Sequence, residues 1–253
     1  MSKIIVLGGG ESGVGAALLA KSKGFDVFLS DQGTLKEAFK KTLSDHNIRF
    51  EEGQHTLEEI LHANEAIISP GIPEKNEVVK KIKEKHIPLI SEIEFAVRYT
   101  SAKIIAITGS NGKTTTTLLT YHLLKEAGYL VGLAGNIGQS FAKQVLENNH
   151  EYYVLEISSF QLDRCISFSP DVAILLNITP DHLDRYEYKF ENYIASKFRI
   201  FQNADLTKTC IFWEDDEVIQ ANKKGIPSSH FSTISSKINH SDAFISAAKI
   251  PRA

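Results

Sequence analysis

In Thr108-Gly109-Ser110-Asn111-Gly112-Lys113-Thr114-Thr115, two glycines bracket a polar turn between an apolar run, Ile104 to Ile107, and a helical pattern. In that pattern Leu118, Leu119, Leu123, Leu124 and Ala127 are expected to share the buried face, with Gly128 as the stop. A strand, a glycine turn and a helix in that order point several backbone N–H groups at one spot. The positive helix terminus makes that spot a seat for phosphate. Ile107 stands where the strict G-x-x-x-x-G-K-[ST] pattern has its first glycine, but the Gly-Lys-Thr core is intact. Gly109, Ser110, Asn111, Gly112, Lys113, Thr114 and Thr115 therefore read as an ATP-phosphate cradle. Lys113 would reach the β and γ phosphates, and the Thr114 hydroxyl would face Mg²⁺. A plain glycine-rich turn with an exposed lysine is the competing reading, and it leaves the strand, the helix and the threonine run unexplained.

Outward from this turn, short β-branched runs alternate with helical stretches, which predicts an α/β chain. Strands are expected at Ile4 to Leu7, Val27 to Leu29, Ala66 to Ile68, Pro88 to Ile90, Leu130 to Ala134, Tyr152 to Ile157, Val172 to Leu176 and Thr209 to Trp213. The region Val97 to Lys103 reads as a boundary. The chain is thus expected to hold a Rossmann-like parallel-sheet domain over residues 1–98. An incomplete P-loop-type α/β domain is expected over 99–253. Polar motifs fall after the second domain's strands, at 108–115, 135–136, 156–159 and 177–182. Ligands of open parallel sheets sit outside the carboxyl ends of the strands, so these four loops should converge on one crevice.

Glu156 ends an apolar strand in Leu155-Glu156-Ile157-Ser158-Ser159-Phe160-Gln161-Leu162. Its charge is costly to desolvate without a partner, and Mg²⁺ beside a phosphate loop would supply one. An exposed strand-end glutamate is the alternative. His182 lies in Thr179-Pro180-Asp181-His182-Leu183-Asp184-Arg185-Tyr186, where either a ligand or a solvated loop histidine fits. Lys197, judged on its helix alone, reads as a surface lysine.

The other glycine loop, Gly8-Gly9-Gly10-Glu11-Ser12-Gly13, matches G-x-G-x-x-G after a strand, and Asp31 ends the next strand. Diphosphate contact at a helix N-terminus is implied, with Asp31 near a ribose hydroxyl. NAD, another nucleotide diphosphate and a purely structural tight turn all remain open on this motif.

Composition narrows the classes. The 253 residues are 42% hydrophobic and 23% charged with a net charge of −3, so a packed core is expected and no basic field recruits nucleic acid. Cys165 and Cys210 have no CxxC spacing and read as core residues of a reducing compartment. No run approaches the ~20 apolar residues of a membrane span, and the start is too short an apolar stretch for a signal peptide, so a cytoplasmic chain is expected.

The 108–115 turn, Gly135-Asn136-Ile137-Gly138, the 155–162 run and Asp181-His182-Leu183-Asp184-Arg185-Tyr186 together resemble the Mur ligases. Ser69-Pro70-Gly71 and the first glycine loop extend the resemblance over nearly the whole chain. The resemblance implies ATP-dependent joining of D-glutamate to UDP-N-acetylmuramoyl-L-alanine through an acyl phosphate. It implies that Ser12, Asp31, Ser69 and Gly71 line the uridine diphosphate site, and that Asn136, Ser158 and His182 touch the same substrate. It further implies Lys113, His182 and Lys197 as catalytic residues, and Thr114, Glu156, His182 and Lys197 around two Mg²⁺ ions. Lys197 matches a lysine that is carbamylated in the family. A monomer is expected, with no nucleic-acid partner. The family's carboxyl-terminal domain, which supplies the D-glutamate site, is missing after Ile250-Pro251-Arg252-Ala253, so little or no turnover is expected of this chain alone. A sister amide ligase, such as another Mur ligase or folylpolyglutamate synthetase, and an NAD-dependent oxidoreductase are the rival readings.

Overall fold

Ile4, Ile5, Val6 and Leu7 are at most 1% exposed, as befits a strand covered on both faces. The computed structural model, which describes residues 2–224, 226, 230–236, 241, 243 and 244, puts this strand at the centre of a five-stranded parallel sheet. Ile250 to Ala253, read above as the chain's last segment, lie outside the described residues. In chain order the first sheet region holds β1 (Lys3–Leu7), α1 (Glu11–Ser22), β2 (Asp26–Asp31), α2 (Glu37–Asp45), β3 (Arg49–Glu52), α3 (Leu57–Leu61), β4 (Glu65–Ile68), α4 (Glu77–Glu84), β5 (Leu89–Ser91) and α5 (Glu92–Val97). The strand order is β3-β2-β1-β4-β5, a Rossmann half, and the chain reverses direction across the sheet between β1 and β4. Leu7 pairs in register with Ser30 and with Ile68, which brings the loops after β1, β2 and β4 to one level.

A second parallel sheet follows. Its elements are β6 (Lys103–Thr108), α6 (Lys113–Glu126), β7 (Val131–Gly135), α7 (Phe141–Glu147), β8 (Tyr152–Glu156), α8 (Ser159–Leu162), β9 (Val172–Leu175), α9 (Phe190–Phe198), β10 (Thr209–Trp213), α10 (Glu217–Asn222), β11 (His230–Ser235) and β12 (Ala243–Phe244). The order is β12-β11-β10-β9-β6-β8-β7. Ile107 pairs with Glu156, Glu156 with Gly135, and Thr108 with Leu175. Four strand ends therefore finish level, and the loops that leave them share one rim.

The expected buried face of α6 is corrected. Leu118, Leu119 and Leu123 are 46%, 54% and 60% exposed. The inward stripe is Thr117, Tyr121 and Leu124, at the i, i+4, i+7 spacing of one helix face. Tyr121 and Leu124 pack against the Ile107, Val131 and Val154 cluster. A threonine and a tyrosine on that stripe hid it from an apolar count. The two cysteines are buried as expected.

The two sheets meet through α1 and α5 on one side and α7 on the other. Gly15 is obligatory there, since a Cβ would stand 2.0 Å from Ser140 Oγ. Glu92 accepts from Ser140 Oγ and Ala142 N at 2.6 Å each, placing its carboxyl at the N-terminus of α7. Burial pushes this carboxyl up to about 7. Its second oxygen, Oε2, is buried with no hydrogen-bond partner. Glu94, 1% exposed, accepts from the backbone N–H groups of Ile166, Ser167 and Phe168 at 2.9–3.1 Å and from Ser167 Oγ at 2.5 Å. One turn of α5 thus grips the second domain with two carboxylates. One apolar cluster runs through the seam, from Val14 and Leu18 to Phe141 and Ala142. No helix among the described residues is long and apolar enough to cross a membrane.

Candidate active site

The Gly-Lys-Thr turn is shaped by close backbone approaches. Gly112, the N-cap of α6, has φ +79, in the left-handed region glycine occupies at little cost. A Cβ on Gly109 would lie 3.0 Å from Leu176 Cβ. The turn is sewn to the loop after β9: Ser110 N donates to Asn177 O at 2.9 Å and Asn111 N to Asn177 Oδ1 at 2.8 Å. Ser110 Oγ accepts from Thr179 N at 2.9 Å and stands 3.1 Å from Tyr193 OH. Lys113 Nζ donates to the carbonyls of Gly109 and Ser110 at 2.9 Å each, so its charge lies over the turn. Thr115 is exposed beside it on α6.

Beneath the turn, Glu156 is 1% exposed. Its Oε2 accepts from Thr114 Oγ1 at 2.7 Å and its Oε1 from Asn136 Nδ2 at 2.8 Å. Asn136 is held by its own backbone, whose N–H donates to Glu156 O at 2.8 Å. Three sequence candidates from three loops thereby meet. A hydroxyl and a carboxylate side by side form an all-oxygen donor set, which suits a small hard cation. Among the described residues, no three His, Cys, Asp or Glu side chains stand together as a ready metal cluster.

Lys197 reverses the reading from its helix alone. It is 2% exposed, and its Nζ donates to Thr108 Oγ1 at 3.2 Å while Thr108 Oγ1 donates to Ile157 O at 2.7 Å. Burial, reinforced by the nearby Lys113 charge, lowers its ammonium to about 7. The neutral amine is therefore well populated at neutral pH. His182 sits at the exposed rim with φ +48, its N–H donating to Asp181 Oδ1 at 2.8 Å and its ring 5.2 Å from that of Phe160. Ser158 caps α8 in a reciprocal box with Gln161: Gln161 N donates to Ser158 Oγ at 3.3 Å and Ser158 N to Gln161 Oε1 at 2.9 Å.

Two of the first-domain candidates line a cleft whose lining holds none of Lys113, Glu156, His182 and Lys197. Ser12 and Ser69 line it with Gln161, Asp163 and Arg185 of the second domain. Ser69 packs on the first glycine loop, where a Cβ on Gly8, at φ +95, would lie 2.5 Å from Ser69 Oγ. Gly71 is exposed, with open space about it. Both oxygens of Asp31 are taken by backbone, Oδ2 by Gly9 N at 2.5 Å and Oδ1 by Gly33 N at 2.7 Å. Asp31 thus braces the first glycine loop. Sequence reasoning passed over Thr108, Tyr193 and Arg185. Thr108 opens the turn motif and Arg185 is the fifth residue of the 181–186 motif, so both were within the quoted stretches.

Residues 107–252 match the Mur ligase middle domain, and residues 3–78 match the MurD N-terminal domain. The chain is 57% identical over 228 residues to the UDP-N-acetylmuramoylalanine--D-glutamate ligase of Bacteroides fragilis, covering 89% of this chain and 51% of that one. The enzyme of the same name from Cytophaga hutchinsonii is 59% identical over 227 residues, 89% of this chain and 50% of that one. The chain thus spans about half the length of these curated relatives. Among solved structures, the fold matches the UDP-N-acetylmuramate:L-alanyl-gamma-D-glutamyl-meso-diaminopimelate ligase of Neisseria meningitides. That match has a TM-score of 0.62 at 20% identity and covers 92% of this chain and 78% of that one. UDP-N-acetylmuramate-alanine ligase MurC of Thermotoga maritima gives 0.56 at 21% identity, over 94% and 53%. At those identities the two structures speak for the fold alone.

Proposed function

The chain belongs to the Mur ligase family, and on that premise we propose that it is the nucleotide-handling half of an ATP-dependent ligase that joins D-glutamate to UDP-N-acetylmuramoyl-L-alanine. One observation carries the ATP end of this reading. Glu156, a carboxylate 1% exposed, is held between the Thr114 hydroxyl and the Asn136 amide directly under the phosphate turn. A buried carboxylate so placed is retained against its desolvation cost when it has a cation to face.

In this reading the backbone N–H groups of 109–115 and the α6 dipole hold the triphosphate. Lys113 turns from the carbonyls of Gly109 and Ser110 to the β and γ phosphates. Thr114 and Glu156 would hold Mg²⁺, and His182 with a carbamylated Lys197 would hold a second ion. Bound there, Mg²⁺ would supply charge neutralisation between two anionic reactants. The alanyl carboxylate attacks the γ-phosphorus and ADP leaves. The amine of D-glutamate then attacks the acyl carbon, phosphate leaves, and the amine proton passes to solvent. Ser12, Ser69 and Gly71 receive the uridine diphosphate on the loop that Asp31 braces. Asn136 and Ser158 face the muramoyl end. We take the reaction to be cytoplasmic and the chain to act as a monomer.

Calorimetry of this chain with a non-hydrolysable ATP analogue should show Mg²⁺-dependent binding that Lys113→Ala abolishes. In a protein of the relatives' full length, ADP release should require D-glutamate. Equal turnover with other amino acids would refute the substrate assignment.

A further inference from the structure

The loop 69–73, at the first-domain end of the cleft, is held from across the seam by two arginines. Arg185 Nη2 donates to Pro70 O at 3.3 Å and to Ile72 O at 3.5 Å. Arg164 makes an ion pair with Glu74 at the end of the same loop. The Arg185 guanidinium also lies over the Phe160 ring, 4.3 Å from its centroid. That same ring stands 5.2 Å from the imidazole of His182. Arg185 N donates to His182 O at 2.9 Å, so the two residues share one tight turn.

This turn is strained. His182, Glu187 and Tyr188 have φ of +48, +55 and +57, a region that side chains with a Cβ seldom occupy. Such backbone persists only where its surroundings over-determine it, as at clamps and switch regions. The contacts that fix it here reach to the loop carrying Ser69 and Gly71. Movement of that loop would pull the guanidinium by two carbonyls, and through Phe160 would reach the imidazole.

We infer that Arg185 is a positioning residue that couples the two nucleotide sites, making the 69–73 loop and the His182 turn one switching unit. The inference rests on the ligase reading above, since it presumes a uridine diphosphate ligand at one end and an adenine nucleotide at the other. Occupancy of either site then changes affinity at the other by the same factor, as linkage requires.

The test is titration calorimetry on this chain with Mg²⁺·ADP, alone and with saturating UDP-N-acetylmuramoyl-L-alanine, and then in the reverse order. The expected coupling factor is about fivefold or more in the unaltered protein. It should fall to within about twofold of unity in Arg185→Ala, which removes both the carbonyl contacts and the stack. Phe160→Leu keeps the carbonyl contacts and removes the stack, so it should also lower the factor. This second variant carries the test if Arg185→Ala does not fold. Both ligands binding with coupling intact in both variants, or binding independently in the unaltered chain, would overturn the inference alone. Binding of neither ligand to the unaltered chain would overturn the ligase reading, and this inference with it.

Discussion

Lys197 offers a chemical test of the site. An ordinary lysine, with a reference value of 10.5, is neutral at pH 7 in only about one molecule in three thousand; this amine, lowered to about 7, is neutral in about half. The neutral nitrogen can bond the carbon of CO₂, releasing a proton to solvent and leaving a carbamate. A thousandfold gain in reactive fraction over surface lysines follows, on the order of 10³. With ¹³C-labelled bicarbonate and Mg²⁺, a protein-bound carbamate carbon should appear by NMR at pH 8 and be missing in Lys197→Met. The initial rate of labelling should fall about fivefold from pH 7 to pH 6, as the neutral fraction falls from about one half to about one tenth. The same shift has a stability sign. Between about pH 7 and 10.5 the unfolded chain holds the proton more tightly, so stability rises with pH across that window. The burden of the buried charge, ~5 kcal/mol, is complete below pH 7 and gone above 10.5, and Lys197→Met should lose this pH dependence. Label persisting in Lys197→Met, or a labelling midpoint near 10.5, would refute the reasoning.

Two further expectations concern the seam. Glu94→Ala strands four donor groups that now share one carboxylate, which should cost ~3 kcal/mol and lower the thermal midpoint by roughly 6–12 °C; a midpoint within 2 °C of the parent would show that the clasp contributes nothing, with melting followed by circular dichroism. Glu92, raised from 4.5 to about 7, gives stability that is complete below about pH 4.5 and falls as pH rises through 7. Glu92→Gln, neutral throughout, should flatten that decline, which denaturant titrations at pH 5 and pH 8 would measure.

Much of this architecture was legible in the sequence because its strands are buried on both faces. Ile4 to Leu7 and Val154-Leu155 read as unbroken apolar runs, and the Gly-Lys-Thr turn stands between a strand and a helix as its chemistry requires. The edge strand β3 was missed, since Arg49, Glu51 and Glu52 carry the charges that keep a sheet edge soluble. Lys197 misled for a different reason. Its helix neighbours say nothing of Thr108, 89 residues earlier, which receives its Nζ. The contacts of Glu94 and Arg185 were likewise invisible, because their partners lie 72 to 74 and 113 to 115 residues away in the chain. A spacing rule covers one helix face or one turn, and these contacts span two domains.

The grip of α5 on the 166–168 backbone sets how the molecule comes apart. Two sheets joined by a flexible tether would melt in separate steps, each with its own enthalpy. Here a single oily interior crosses the junction, and opening one half before the other would expose that apolar surface and give up the Glu94 clasp. The halves should therefore denature together, in one calorimetric transition. Damage in either sheet is then felt as a loss of the whole.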